Sequence, residues 1–283
     1  MKIGYLGPAG TFTHQATLRF AKQMLRPSGP SDGVLRPVAD RDGQAVSLIS
    51  FGSVGQVFEA LQAGEIDYGV AAIDNTVEGP VLATIDGLLH SEGMVAVGDI
   101  WLPIVFDAYA LADGAPYQVG VAHPHALAQV TGALRRFNLV PLAAASNGAA
   151  LENLMPGQVA FGPPGYRAYG VISIAENVGD YPDAETQFVL LQARNQLGNG
   201  AASSTMLAIT PGNTGPGVLA RITAEFAQRG LNLSALFSRP IKGVAKQYVF
   251  IVTVDAGPGS AKLKELLTVL ASENDDVKIL GYW

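Results

Sequence analysis

The sequence predicts an α/β protein in two parts: a larger body of alternating strands and helices, then a smaller βαββαβ unit of the split ferredoxin-like kind. Three observations predict it. Short apolar runs alternate with helically spaced ones through the first two-thirds of the chain. The text at residues 195–204, Asn-Gln-Leu-Gly-Asn-Gly-Ala-Ala-Ser-Ser, is linker chemistry. Beyond it the order becomes strand, helix, strand, strand, helix, strand. With 283 residues, 48% of them hydrophobic, the chain can fill more than one core.

Taken in order, residues 2–6 read as a buried strand and 13–24 as a helix. A strand over 68–73 precedes a helix near 81–89. Residues 119–122 lead into a helix over 126–137, and 139–144 into a helix over 147–154. Further strands are expected at 171–175 and 187–191. The Pro-, Gly- and Asp-rich stretch 27–43 reads as a surface loop. After the linker come a strand (206–210), a helix (218–229), strands (231–237 and 247–255), a helix (261–274) and a last strand (277–282). The expected division is a body over 1–194, a linker over 195–204 and a second domain over 205–283.

Composition narrows the function. Eighteen Lys and Arg face 24 Asp and Glu, for a net charge of −6, and the largest basic cluster is Arg135–Arg136. A nucleic-acid partner, which needs a basic stripe against phosphates, is not expected. Cysteine is absent, which removes disulfides, thiolate nucleophiles and Cys-based metal sites. The histidines are His14, His90, His123 and His125, and none falls in an HExxH spacing. His123 and His125 flank Pro124 at an expected helix start, where capping or substrate contact competes with metal binding; no metal is expected. The apolar run at 2–6 is far shorter than a leader or a membrane span, so a cytoplasmic protein without membrane contact is expected.

The informative residues sit at four turns, each read as a strand-to-helix junction. They are Gly7-Pro8-Ala9-Gly10-Thr11-Phe12-Thr13-His14, Asp74-Asn75-Thr76-Val77-Glu78-Gly79, His123-Pro124-His125 and Ser146-Asn147-Gly148. Each pairs hydroxyl, amide or imidazole groups with backbone N–H donors at a helix start, a combination that favours a carboxylate or phosphate. One such turn could be an ordinary N-cap. Four in one α/β body point to a shared anion-binding cleft at the strand ends. Neither a G-x-G-x-x-G nor a P-loop pattern occurs, nor a G-x-S-x-G elbow, which argues against dinucleotide, ATP and serine-hydrolase sites.

These turns carry a family resemblance along nearly the whole chain: it resembles the prephenate dehydratases. Leu6–His14 looks like the family's first signature, and Ile73-Asp74-Asn75-Thr76-Val77-Glu78-Gly79 is similar to its I-E-N-S-x-E-G. His123-Pro124-His125-Ala126-Leu127-Ala128-Gln129 matches its S-H-P-x-A-L-A-Q, with Ala122 for the serine. Ser146-Asn147-Gly148 sits at its Ser/Thr-rich helix start. The resemblance implies a catalytic body of two lobes built like the type II periplasmic binding proteins, with the site between the lobes. It implies that the βαββαβ unit is an ACT domain, which pairs with another subunit and senses phenylalanine. Gly217-Val218-Leu219 looks like that domain's G-A-L turn, and Asn232-Leu233-Ser234 like its N-L-T/S. Ser238-Arg239-Pro240 matches the end of E-S-R-P.

Two positions depart from the pattern. The family's T-R-F reads Thr186-Gln187-Phe188, so the threonine proposed as proton donor is present but the arginine is a neutral amide; Arg167 and His14 are the cations that could replace it. The glutamate of E-S-R-P is Phe237. The implied chemistry is cofactor-free dehydration of prephenate, with Thr11, Thr13, His14, Asn75, Thr76, Glu78, Gly79, His123, Ser146 and Asn147 around the substrate and Thr186 protonating the departing hydroxyl. Strong ground-state binding of the ring carboxylate would oppose its loss, so the pyruvyl carboxylate is the group to hold. Two alternatives stay open: a prephenate decarboxylase that keeps the hydroxyl, which Gln187 favours, and a non-catalytic carboxylate or amino-acid sensor. L-Phenylalanine is the expected effector, and a homodimer or homotetramer the expected assembly.

Overall fold

The computed structural model describes residues 1–25, 46–193, 202–241 and 247–283. The expected loop at 27–43 and residues 195–201 of the expected linker lie outside the described residues. The chain forms two compact units: Met1–Ile85 with Ile100–Phe188, and Asp86–Asp99 with Val189–Trp283.

The first unit contains two sheets, one for each expected lobe. In the first sheet β1 (Lys2–Leu6) lies parallel between β2 (Ser47–Phe51) and β3 (Tyr68–Asn75), and β11 (Glu185–Ala193) lies beyond β3. Ile3, Gly4 and Tyr5 are all buried, as expected for a parallel strand covered on both faces. Helix α1 (Phe12–Met24) buries Ala16, Thr17, Phe20 and Ala21, one stripe at helical spacing. Helix α2 (Val54–Gln62) starts at Ser53, whose hydroxyl accepts the Gln56 N–H. The second sheet runs β10 (Val171–Ala175), β6 (Asp107–Leu111), β9 (Gln158–Gly162), β7 (Val119–Ala122), β8 (Val140–Ala143). Phe106, Phe161, Leu134 and Val159 fill its core, and Phe12 packs edge-on against Phe106 with centroids 5.5 Å apart.

The helix expected over 126–137 is two helices, α4 (Pro124–Ala128) and α5 (Thr131–Arg136). Asp180, more than forty positions away, makes the break: its carboxylate accepts the N–H groups of Thr131 and Gly132 and the Thr131 hydroxyl, while its own N–H reaches Gln129 O. Helical periodicity cannot reveal a start capped by a distant chain segment. Three strands, β2, β6 and β9, and helix α2 had no counterpart in the sequence reading, nor did β5 (Met94–Pro103). Asp-Ala-Tyr-Ala-Leu in β6 lacks the β-branched run that marks a strand, yet four of its five residues are buried.

In the second unit β12 (Thr205–Thr210), α7 (Val218–Gln228), β13 (Leu233–Pro240), β14 (Tyr248–Val254), α8 (Ala261–Ser272) and β15 (Asp276–Tyr282) form the expected βαββαβ. The sheet order is β13-β14-β12-β15, antiparallel throughout. Ile222 and Phe226 of α7 and Leu263, Leu266 and Leu270 of α8 meet Leu207, Ile209 and Val252 of the sheet. Gly217 caps α7 with φ of 87°, a left-handed conformation that only glycine adopts without strain. Segment 86–99 adds the second half of α3 (Leu82–His90), with the start of β5, to this unit. Arg239 of β13 binds both carboxylate oxygens of Asp86, and Lys278 of β15 donates to the carbonyls of Leu89 and Ser91.

Candidate functional site

The turn after β1 is held by its own polar groups. Thr11 Oγ1 accepts the His14 N–H (3.2 Å) and donates to Pro8 O (3.0 Å), and His14 Nδ1 accepts the Gly10 N–H (3.1 Å). An imidazole that accepts at Nδ1 carries its proton on Nε2 when neutral. Burial lowers the His14 pKa, and the ring lies 5.2 Å from Tyr5, so at neutral pH His14 is a donor without charge and is not a replacement cation. Thr13 is half-buried in the first turn of α1, where its carbonyl accepts the Thr17 hydroxyl.

The second turn is not a helix start. After Asn75 the chain turns back through β4 (Gly79–Pro80), with Asn75 opposite Gly79, and α3 begins only at Leu82. Asn75 Oδ1 accepts the N–H groups of Val77 and Glu78, both at 2.9 Å. The Thr76 N–H donates to Glu185 O and the Thr76 hydroxyl accepts the Glu185 N–H. The donors expected to be open to an anion are thus consumed by an Asx turn and a strand contact. Glu78 is exposed.

Asn75 carries the geometry further. Its Oδ1 faces two N–H donors, which fixes the amide's orientation, so Nδ2 is the atom that donates to Thr186 Oγ1 at 2.7 Å. The threonine oxygen is therefore an acceptor in that bond, and its proton points elsewhere. Thr186, Gln187 and Phe188 open β11 at 7%, 7% and 2% exposure, so the neutral amide that stands for an arginine is itself buried.

The third and fourth turns are joined directly. His123 caps α4 by accepting the His125 N–H at Nδ1, and the His123 N–H donates to Asn147 Oδ1 at 2.9 Å. Burial, then the neighbouring His125, lowers the His123 pKa. Ser146 caps α6 (Asn147–Glu152) by accepting the Ala149 N–H. A side chain at Gly148 would lie 2.4 Å from Pro8 Cγ and 3.1 Å from Thr11 Cγ2, so the fourth turn sits directly against the first. β1 and β3 run parallel as neighbours, which puts the first two turns at the same end of the sheet, and Phe12 and Val77 both pack on one apolar cluster. The four turns therefore gather at one end of the first unit, and Thr186 joins them through Asn75. Among the described residues no group of three or more His, Asp and Glu is placed to hold a metal.

Tyr109 and Tyr166 had no signal in the sequence. The buried Tyr109 hydroxyl donates to Pro163 O (2.8 Å) and accepts the Tyr166 N–H (3.2 Å). The Tyr166 ring reaches within 3.8 Å of where a Gly10 side chain would stand, so this pair fixes the loop after β9 against the first turn.

In the second unit, a cavity of about 530 Å³ is lined by loop 213–218, including Gly217 and Val218, with Arg221, Glu273 and Asn274. Leu219 is exposed. Asn232 Nδ2 donates to Asp255, and Ser234 donates to Thr253 O. Leu233, Ser238, Arg239 and Pro240 lie on β13, where burial alternates, and Phe237 is half-buried opposite Ile251.

The family model described as Prephenate dehydratase matches residues 3–196, and the one described as ACT domain matches 213–271. The prephenate dehydratase of Mycobacterium sp. (strain JLS) is 32% identical over 291 aligned positions, covering 100% of this chain and 88% of that protein. Among solved structures, the prephenate dehydratase of Arthrobacter aurescens in complex with L-Phe aligns with a TM-score of 0.81 at 26% identity, over 100% of this chain and 89% of that one. The enzyme from Staphylococcus aureus subsp. aureus Mu50 gives 0.75 at 25%, over 100% and 99%.

Proposed function

The chain belongs to the prephenate dehydratase family, and from that premise we propose that it converts prephenate to phenylpyruvate. The ring carboxylate leaves as CO₂, its bonding electrons enter the ring, and the C–O bond to the ring hydroxyl breaks. Thr186 delivers a proton to the departing oxygen so that water leaves, and solvent restores the threonine proton. The observation that carries this reading is the Asn75 amide, whose fixed orientation makes Thr186 Oγ1 an acceptor and leaves its proton for a ligand. A threonine hydroxyl is a weak acid. Aromatisation supplies the driving force, and Asn75 supplies position. Thr11, Thr13, neutral His14, Thr76, Glu78, Gly79, His123, Ser146 and Asn147 line the remainder of the substrate site in this reading, and the gathering of their turns supports it.

Gln187 favours a second reading, loss of CO₂ with ring protonation and retention of the hydroxyl. NMR of the product formed from prephenate separates the two. An aromatic phenylpyruvate spectrum supports dehydration, whereas a dihydro-hydroxyphenylpyruvate with surviving ring sp³ signals rejects it.

The reading assigns residues 1–194 to catalysis, 195–204 to a linker and 205–283 to regulation by L-phenylalanine. The ACT match and the L-Phe complex of the Arthrobacter aurescens relative support the last assignment. Gly217, Val218, Leu219, Asn232, Leu233, Ser234, Ser238, Arg239 and Pro240 are the effector residues in this scheme. Arg221 faces the cavity but is committed to Asp275 and Glu273, and Arg239 gives Nε and Nη2 to Asp86. An effector carboxylate is therefore left to backbone N–H groups of the 213–218 loop. A cytoplasmic homodimer or homotetramer completes the proposal. No described helix is long and apolar enough to cross a membrane, and edge strand β13 exposes Leu236.

A further inference from the structure

Prephenate is a dianion, yet the motif residues gathered at the site include no cation: they are amides, hydroxyls and histidines, with the acid Glu78 exposed. Gln187 is a buried amide. His14 and His123 both have lowered pKa values, and their Nδ1 atoms accept backbone N–H groups. A carboxylate drawn from water into such a place needs a compensating cation or a full set of donors. The donors of the second turn are already consumed.

The described cations of the first unit can be taken in turn. Lys2 starts β1, at the strand end opposite Gly7. Arg19 and Lys22 lie in the later turns of α1, away from its Thr11 start. Arg135 and Arg136 end α5, with Arg136 over the Phe137 ring. Arg167 alone among them is next in the chain to a residue that touches the gathered turns. It follows Tyr166, whose backbone is tied to Tyr109 and whose ring lies against Gly10. Arg167 is exposed and forms no ion pair among the described residues.

We infer that Arg167, carried on the Tyr109-anchored loop after β9, binds a carboxylate of the substrate and supplies the positive charge that Gln187 lacks. The inference rests on the proposed substrate, and it makes the loop a specificity element: it selects a dianion over a monoanion of the same ring. An arginine outside the buried strand also suits the chemistry. It can grip the pyruvyl carboxylate at the mouth of the site without stabilising the ring carboxylate that must depart.

The test is prephenate binding by calorimetry alongside steady-state turnover, on the full chain and on Arg167→Ala, Arg167→Gln and Arg167→Ala/Gln187→Arg, with melting temperature as the check on folding. A charge-assisted pair of this kind predicts that either single variant weakens prephenate binding and raises KM about 10- to 100-fold. The change in kcat should be much smaller, and the added Gln187→Arg should recover most of the loss. Folded single variants that bind prephenate within twofold of the parent overturn the inference. Arg167-dependent binding without formation of phenylpyruvate keeps it, and moves the failure to the proposed reaction.

Discussion

The two units use charge in opposite ways. Among the described residues every Lys or Arg ion pair lies in the second unit: Arg221 with Glu273 and Asp275, Arg229 with Glu225, and Arg239 with Asp86. The first unit is held at its functional end by neutral bonds instead, namely Asn75 to Thr186, the His123 N–H to Asn147, Gly10 to His14, and Tyr109 to Pro163 and Tyr166. A guanidinium locked to a carboxylate holds two elements in register and is no longer available to a ligand. The proposed dianion site presents amides, hydroxyls and uncharged imidazoles, with its acid Glu78 exposed. Fixed neutral dipoles of this sort hold charge without a counter-ion competing for it.

The largest expected effect probes the neutral end. Thr186→Ala should lower kcat by about 10²- to 10⁴-fold, the usual contribution of a positioned proton donor, with KM nearly unchanged. Stopped-assay phenylpyruvate formation reads it, and a kcat within threefold of the parent would remove Thr186 from the mechanism. The next effect probes the charged end. Asp275 has a fully buried side chain that accepts the Gly212 N–H and both oxygens of which meet Arg221. Asp275→Ala should cost about 2 kcal/mol, because it removes the bidentate partner of a partly buried guanidinium and leaves it Glu273 alone; urea unfolding followed on the second unit measures this. A loss below 1 kcal/mol would mean that the pair orders the Gly212 loop without stabilising the fold.

Gly148→Ala sharpens the comparison from the packing side. Its methyl group meets the rigid Pro8 ring and Thr11, so separating the first and fourth turns should cost about 1–3 kcal/mol and raise KM, read by melting and kinetics together. The smallest effect is the pH dependence of the uncharged histidines. With the folded pKa of His14 and His123 below the ordinary 6.5, the folded state binds fewer protons than the unfolded chain as the pH falls. Their contribution is full above pH 6.5 and is lost as the pH drops through the lowered folded values. His14→Gln should flatten the melting temperature between that pH and more acid conditions; an unaltered slope would place the acid sensitivity elsewhere.

Legibility in the sequence followed the range of the interaction. The Thr11, Ser146 and His123 caps are local, three residues or fewer from side chain to N–H, and their positions could be read directly. The meaning of Asn75 could not, because its amide divides between a local turn and Thr186, 111 positions away. The helix expected near 81–89 is there, but reading the Asn75 turn as open to an anion failed because the residue closes the turn by itself, consuming the N–H donors of Val77 and Glu78. Tyr166 and Arg167 lay in a Pro-Gly-Tyr-Arg stretch that reads as plain loop, and only Tyr109, 57 positions from Tyr166, gives that loop a fixed place.

By itself the sequence determined the α/β body, the βαββαβ order of the second domain, the absence of cysteine chemistry and the identity of the motif residues. Periodicity, caps and composition act within a few residues, and they are written in the order of the chain. Tertiary structure alone decided which turns meet, that Asn75 aims at Thr186, that His14 is uncharged, and that the described arginines of the second unit are taken. Burial and long-range hydrogen bonds set orientation and protonation, and neither exists until distant segments are packed together.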